Sequence, residues 1–186
     1  MGNVFFMKDP IANTENGVSF VELNQKQVKE ALVFAINTLL IQQKKIILIL
    51  FSQNAKIIAE TFNKQRNKLH IIDCFSKPTN QQENYFHISN PSSLTDIQVN
   101  LDLIEKKISG KKIIIIDSLN TMAVYNKKDA IGRFMHLLIN KIRLKENAGF
   151  IFTEKESTEE DILSIMHELC DKTYCFAELF DTNIER

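Results

Sequence analysis

The sequence predicts an α/β domain with a doubly wound, mainly parallel sheet of about five strands or more. Short β-branched and aliphatic runs alternate with longer segments of helical periodicity, which is the pattern of strand–helix–strand units. One run, Ile113–Asp117, is four isoleucines followed by an aspartate, and such continuous apolar strands are typical of a parallel sheet covered on both faces. The length of 186 residues suits a single domain spanning 1–186, with a core of about residues 18–178.

The strands are expected where apolar runs are short. These runs are Val18–Leu23, Ile46–Phe51, His70–Cys74, Tyr85–Ile88, Ile113–Asp117, Gly149–Thr153 and Thr173–Phe176. Asn24 is expected to cap the first helix, with Gln27 three residues later as its capping-box partner. That helix, to about Gln42, is apolar on most sides, so we expect it to be buried on more than one side.

The remaining helices follow from capping residues and apolar spacing. One is expected between the second and third strands, to about Lys68, and another after a cap at Ser92 or Ser93, with Gly110 as its C′ glycine. Apolar residues at helical spacing predict a helix over about 127–145, and a last helix is expected over about 157–170. The polar segment 75–84, which contains Pro78, predicts a surface loop.

Composition excludes several classes of protein. Lysine plus arginine number 23 and aspartate plus glutamate also number 23, so neither nucleic-acid binding nor a polybasic membrane anchor is predicted. The N-terminus lacks the features of a signal peptide, and no run reaches the roughly 18 apolar residues of a membrane span. Three cysteines are too few for a disulfide framework. We therefore expect a soluble, cytoplasmic protein with reduced thiols.

Asp117 is the first candidate for chemistry, because ligands of such sheets bind beyond the carboxyl ends of the strands. An aspartate that ends a buried strand and is followed by Ser118 is how a nucleotidase presents its Mg²⁺-side carboxylate. The same carboxylate would equally serve to cap the strand end by accepting backbone N–H groups. The segment alone is compatible with both interpretations.

The segment Lys111–Tyr125 resembles the Walker B segment of RecA/RadA/KaiC-type ATPases, and it is most similar to the small KaiC-like proteins found mainly in archaea. The segments Ile88–Ile97, Arg133–Leu138 and Gly149–Glu154 also fit that family. The resemblance covers about residues 18–178 as a pattern and is specific from about Tyr85 to Glu154. It implies a RecA/KaiC-like P-loop NTPase fold.

The resemblance also shows where a phosphate-binding loop would stand. In the family this loop follows the first strand, wraps backbone N–H groups around the phosphates and supplies a Lys and a Ser/Thr. A gapless count puts Leu23 and Val28 on its two glycines, Lys29 on the lysine and Glu30 on the Ser/Thr. Left-handed backbone is free for glycine but costs other residues about 1–2 kcal/mol each. Lys29 is then either a solvated helix lysine or a remaining phosphate contact.

A second departure lies after the second strand. KaiC-like enzymes place adjacent glutamates there to activate the attacking water, whereas this chain has Ser52 and Gln53, which cannot act as carboxylate bases. What remains is a vestigial nucleotide site at Lys29, Asp117, Ser118 and Glu154. We expect no catalytic residues, no resident cofactor and no ATP hydrolysis; weak binding of ATP with Mg²⁺, or slow hydrolysis, is the alternative.

The resulting functional prediction is a catalytically inactive ATPase-fold protein that works through protein contacts, as a regulatory or signalling partner. The apolar segments Val4–Met7 and Phe176–Phe180 are candidates for docking a partner or a second copy, or for covering the sheet edges. His167, Cys170 and Cys175 have three-ligand zinc spacing, but buried thiols are the commoner explanation, so no metal is expected.

Overall fold

The computed structural model describes residues 11, 14–24, 27–76 and 84–175, and its centre is a seven-stranded sheet. The strands are β1 Gly17–Leu23, β2 Lys45–Leu50, β3 Leu69–Asp73, β4 Tyr85–His87, β5 Lys112–Ile116, β6 Ala148–Glu154 and β7 Lys172–Cys175. Their order is β4-β3-β2-β5-β6-β1-β7, and every neighbouring pair is parallel. This confirms the predicted parallel α/β fold.

Six α-helices among the described residues cover the two faces of the sheet. They are α1 Val28–Ile41, α2 Ala55–Thr61, α3 Leu94–Lys107, α4 Leu119–Tyr125, α5 Lys128–Leu144 and α6 Glu160–Leu169, with 3₁₀ turns at Asn63–Gln65 and Lys155–Ser157. One core lies under α1 and α2, and the other lies under α3 to α6.

The isoleucine run of β5 is continuous because both of its faces are buried. Ile113 and Ile115 belong to the core under α1 and α2, whereas Ile114 and Ile116 belong to the core under α3 to α6. Side chains of a strand alternate between the two faces of the sheet. A strand covered on both sides therefore has no position at which a polar residue would be solvated.

Several predicted helix ends were wrong. The first helix begins at Val28 with Gln27 rather than Asn24 at its cap position, and the Asn24 carbonyl accepts the Gln27 N–H at 2.9 Å in a turn before the helix. The predicted contact between the two residues is present, because the Gln27 side chain accepts the Asn24 N–H at 3.3 Å. The second helix ends at Thr61 and is followed by a 3₁₀ turn, well short of Lys68. Helix α4 was not predicted.

Other ends agree with the sequence more closely. Ser93 caps α3 by accepting the Asp96 N–H at 3.4 Å. Gly110 has a φ of +75°, the conformation expected of a helix-ending glycine, although it stands two residues after the cap position at Ile108 rather than one. The predicted docking segments Val4–Met7 and Phe176–Phe180 lie outside the described residues.

Candidate functional site

Asp117 follows β5 directly and is bound to the chain segment that follows β2. Its Oδ1 atom accepts the Phe51 N–H at 2.7 Å. Its Oδ2 atom accepts the N–H groups of Ser52 and Gln53, each at 3.0 Å, and the Ser52 hydroxyl at 2.9 Å. Strand order explains the pairing, because β5 lies beside β2 in the sheet. The carboxylate thus sits in a concave group of N–H donors of the kind that binds anions.

The electrostatics of Asp117 reflect complete burial. The side chain has no solvent exposure, and this burial raises the pKa of Asp117 to about 6, while the hydrogen bonds from Phe51, Ser52 and Gln53 act in the opposite direction. At neutral pH the group is therefore mainly ionised. These are the contacts expected of a carboxylate that caps a strand end.

Ser118 and Glu154 lie at the ends of neighbouring strands and are joined through Asn120. The Ser118 hydroxyl donates to Asn120 Oδ1 at 2.8 Å and accepts the Thr121 N–H at 3.2 Å, which caps α4. Asn120 Oδ1 also accepts the Glu154 N–H at 3.3 Å. The structure therefore brings Asp117, Ser118 and Glu154 together at the carboxyl ends of the neighbouring strands β5 and β6.

Lys29 is placed differently. It is the second residue of α1 and is exposed. All four predicted site residues are described, and no hydrogen bond or ion pair joins Lys29 to the other three.

The two positions that the gapless count places on the glycines of the phosphate-binding loop carry core side chains. Leu23 ends β1 with 1% exposure, Val28 begins α1 with 4% exposure, and both pack in the core under α1 and α2. Glu30, at the Ser/Thr position, is exposed. The link from β1 to α1 thus passes from one buried apolar side chain to another within five residues.

A second polar cluster, which sequence reasoning missed, surrounds Glu22 near the end of β1. The Glu22 side chain is 1% exposed. Its Oε1 atom lies 2.7 Å from His167 Nε2, and its Oε2 atom accepts from Lys155 Nζ at 3.0 Å and from Cys175 Sγ at 3.2 Å. A glutamate inside the apolar run Val18–Leu23 was the available signal.

The Glu22 carboxylate is held ionised by these neighbours. Burial raises its pKa, but the hydrogen bonds from Lys155, Cys175 and His167 outweigh burial, so the pKa of Glu22 lies below its usual range. His167 and Cys175 therefore meet at a carboxylate rather than at Cys170. Within the described ranges, no group of three or more His, Cys, Asp or Glu side chains is arranged to hold a metal ion.

Comparisons with known proteins agree with this architecture. The model of the family described as "ATPase: KaiC" matches residues 31–171. The flagellar accessory protein FlaH from Methanocaldococcus jannaschii is similar with a TM-score of 0.62 and 10% identity, over 91% of this chain and 75% of FlaH. A Pyrococcus horikoshii OT3 protein has a TM-score of 0.59 and 12% identity, over 97% of this chain and 89% of its own.

At such identities the two structures support the fold alone. No curated protein matches the chain. None of the helices in the described part is long and apolar enough to cross a membrane.

The family model matches residues 31–171, which is more than half of this chain. The chain therefore belongs to the KaiC family of ATPases.

Proposed function

We propose that this chain is a catalytically inactive member of the KaiC family that acts as a regulatory or signalling interaction module. The observation that carries the proposal is the burial of Leu23 and Val28 at the two positions of the loop glycines. A phosphate-binding loop needs backbone N–H groups that converge on the ligand, and glycines allow that close approach. Here the same positions anchor the β1–α1 link in the core.

The state of Asp117 supports the same proposal. Asp117 already accepts four hydrogen bonds, one on Oδ1 from Phe51 and three on Oδ2 from Ser52 and Gln53. Binding of Mg²⁺ through this carboxylate would compete with those bonds.

The proposal is also supported by the side chains that follow β2. Ser52 and Gln53 are neutral, and Gln53 Nε2 donates to Ser52 Oγ at 3.3 Å while Ser52 Oγ donates to Asp117. Phosphoryl transfer to water needs a group that positions the nucleophile and accepts its proton. A serine and an amide tied to one another and to Asp117 do not supply that base.

Calorimetric titration with ATP and Mg²⁺ tests the proposal. We expect no heat of binding at micromolar nucleotide, and an affinity in the micromolar range would overturn the claim that the phosphate site is lost. Lys29→Met and Lys106→Met form a matched pair, because both are exposed helix lysines and only Lys29 stands at the motif position. Binding that Lys29→Met abolishes and Lys106→Met retains would assign the nucleotide to the vestigial site.

The alternative is weak ATP binding or slow hydrolysis that uses Lys29, Asp117, Ser118 and Glu154. It is favoured by the position of Asp117, Ser118 and Glu154 at the carboxyl ends of parallel strands, on the side of the sheet where β1 also ends. Steady phosphate release that disappears in Asp117→Asn, with the variant still folded, would establish this alternative.

The interaction role is tested separately from nucleotide binding. FlaH is called an accessory protein, and we propose by analogy that this chain also serves another protein or a second copy of itself. Size exclusion with light scattering measures self-association, and co-purification from native lysate tests for a partner. A strict monomer that captures nothing would argue against an interaction module.

A further inference from the structure

Positive charge is concentrated where three neighbouring strands of the sheet begin. β3, β2 and β5 are adjacent, and because they are parallel, they begin on the same side of the sheet. Lysines stand at each of these starts: Lys68 before β3, Lys44 and Lys45 at β2, and Lys111 and Lys112 at β5. Lys45 and Lys112 are partners in the register of β2 and β5. Adjacent strands lie about 4.8 Å apart, so these lysines are close neighbours.

The helix ends and turns that lead into these strands carry further cations. We call the segments 42–45, 63–68, 105–112 and 145–147 together the cationic surface. The two acidic residues of these segments are Glu105 and Glu146, which pair with Lys145 and Lys111. Their ten basic residues are Lys44, Lys45, Lys64, Arg66, Lys68, Lys106, Lys107, Lys111, Lys112 and Lys145. The zero net charge of the whole chain therefore does not reveal a strongly basic region.

Neutral groups of the chain bind part of this charge. Lys45 Nζ donates to the Ser109 carbonyl at 2.8 Å, and Lys112 Nζ donates to the Gly110 carbonyl at 2.7 Å. Within the described residues, the eight basic side chains outside the two pairs with glutamate form no ion pair. Helices α1, α3 and α5 end beside this surface, but the partial negative charge of a helix end is only about half an elementary charge. Most of the positive charge thus has no counter-charge in the described part of the chain.

Buried groups beside the cationic surface are affected by this charge. His70 in β3 is 6% exposed, and burial together with the charges of Lys107 and Lys45 lowers its pKa. Burial also lowers the pKa of Lys112, and nearby lysines act in the same direction against the effect of Glu105. Like charges opposite each other in a sheet are destabilising. An anionic partner would remove part of this cost.

Two strongly exposed aliphatic side chains flank the cationic surface. Ile41, the last residue of α1, is 69% exposed, and Leu144, the last residue of α5, is 86% exposed. The two helices lie on opposite faces of the sheet, so the lysines lie between the two side chains. Cations beside exposed aliphatic groups are typical of proteins that bind the surface of anionic bilayers. The cationic surface contains no aromatic residue on which the bases of a nucleic acid would stack.

We propose that the cationic surface, together with Ile41 and Leu144, binds the face of an anionic lipid bilayer without crossing it. The lysines meet the lipid phosphates, and the two aliphatic side chains enter the headgroup region. The composition-based prediction against a polybasic anchor used the charge summed over the whole chain, which leaves out how that charge is distributed. This inference goes beyond the proposed function and does not depend on nucleotide binding.

Co-sedimentation of the full chain with lipid vesicles tests the proposal. Vesicles of phosphatidylcholine with phosphatidylglycerol supply an anionic surface, and vesicles of phosphatidylcholine alone are the neutral comparison. We expect binding to the anionic vesicles at about 0.05 M salt and loss of most of it at about 0.5 M, because salt at the higher concentration screens charges beyond a few ångströms. No binding to the anionic vesicles, or equal binding to the neutral ones, would overturn the proposal.

Substitutions of exposed basic residues locate the contact. Arg66→Gln combined with Lys106→Gln removes two exposed charges of the cationic surface. Each basic residue near an anionic bilayer is worth about fivefold in partitioning, so we expect a loss of roughly 25-fold. Lys127→Gln combined with Arg133→Gln is the matched control, because both residues are exposed and lie near the start of α5, away from the end that carries Leu144. Equal losses in the two double variants would show that the contact is not at the cationic surface.

The aliphatic side chains separate a bilayer from a nucleic acid as the partner. Leu144→Ser should weaken vesicle binding severalfold, whereas Val124→Ser, at a position that is 78% exposed near the end of α4, should not; no difference between them would overturn the proposal. A labelled DNA duplex of about 20 base pairs is the competing polyanion. Duplex binding that is tighter than vesicle binding, and that Arg66→Gln with Lys106→Gln weakens but Leu144→Ser does not, would assign the surface to nucleic acid instead.

Discussion

Replacement of Val28 by glycine tests whether the position that we aligned with a glycine of the family's phosphate-binding loop is part of the core in this chain. Val28, the first residue of α1, is 4% exposed and its side chain packs in the core under α1 and α2. Val28→Ala deletes two methyl groups at about 0.8 kcal/mol each and leaves a small cavity, so we expect a loss of about 2 kcal/mol in the free energy of unfolding. Val28→Gly adds a backbone term of about 0.5–1 kcal/mol, for a total of about 3 kcal/mol.

Urea unfolding at equilibrium measures these losses. The slope of the unfolding free energy against urea concentration should stay unchanged if the substitution does not alter the surface exposed on unfolding. Lys29→Gly is the control, because it introduces glycine at the next, exposed position and should cost no more than about 1 kcal/mol. If Val28→Gly were no more destabilising than Lys29→Gly, the valine side chain would contribute nothing to the core. The steric argument against a phosphate loop would then lose its basis.

The remaining predictions concern buried titratable groups. Burial raises the pKa of Asp117 to about 6, so its ionisation opposes folding, and its contribution is present in acid and lost as pH rises through 6. The stability of wild type relative to Asp117→Asn should fall by on the order of 3 kcal/mol from pH 3.5 to pH 7, given 1.36 kcal/mol per tenfold change in proton affinity; equal pH profiles in urea titrations would contradict this. Burial also raises the pKa of the Cys74 thiol far above its usual range. Cys74 should therefore react with a thiol reagent only on unfolding, and fast labelling of Cys74 in the native protein, located by peptide mapping against Cys74→Ser, would refute its burial.

The fold was predictable because its central strands are apolar on both faces and because α3, α5 and α6 are amphipathic. Helix α4 escaped prediction because its seven residues contribute only Leu119 and Met122 to the core, too few to establish a periodicity. Asn24 was misplaced as a cap because a turn closed by its carbonyl and a helix cap closed by its side chain have the same local sequence. Such ends are decided by backbone geometry that residue types do not determine.

The sequence predicted individual site residues at the ends of strands, but not the residues of other strands that contact them. Asp117 was expected at the end of β5, but its partners Phe51–Gln53 depend on the placement of β2 beside β5, which no local pattern contains. The same holds for Glu22, whose donors are 133 to 153 residues away in sequence. Sequence marks the unusual residue, here a carboxylate in an apolar strand, and strand order supplies its partners.

The two buried carboxylates lie near the carboxyl ends of β1 and β5, and both find their hydrogen-bond donors within the chain. Asp117 accepts hydrogen bonds from loop N–H groups and a hydroxyl, and Glu22 is bound by a lysine, a histidine and a thiol. A buried charge needs such partners whatever their source. Donors supplied by the protein are present in every molecule, whereas a bound ligand contributes stability that depends on its concentration. Carboxylates that bond donors of the chain itself therefore agree with the function proposed above, and a mutation that removes one of these donors should alter stability more than any change of nucleotide concentration.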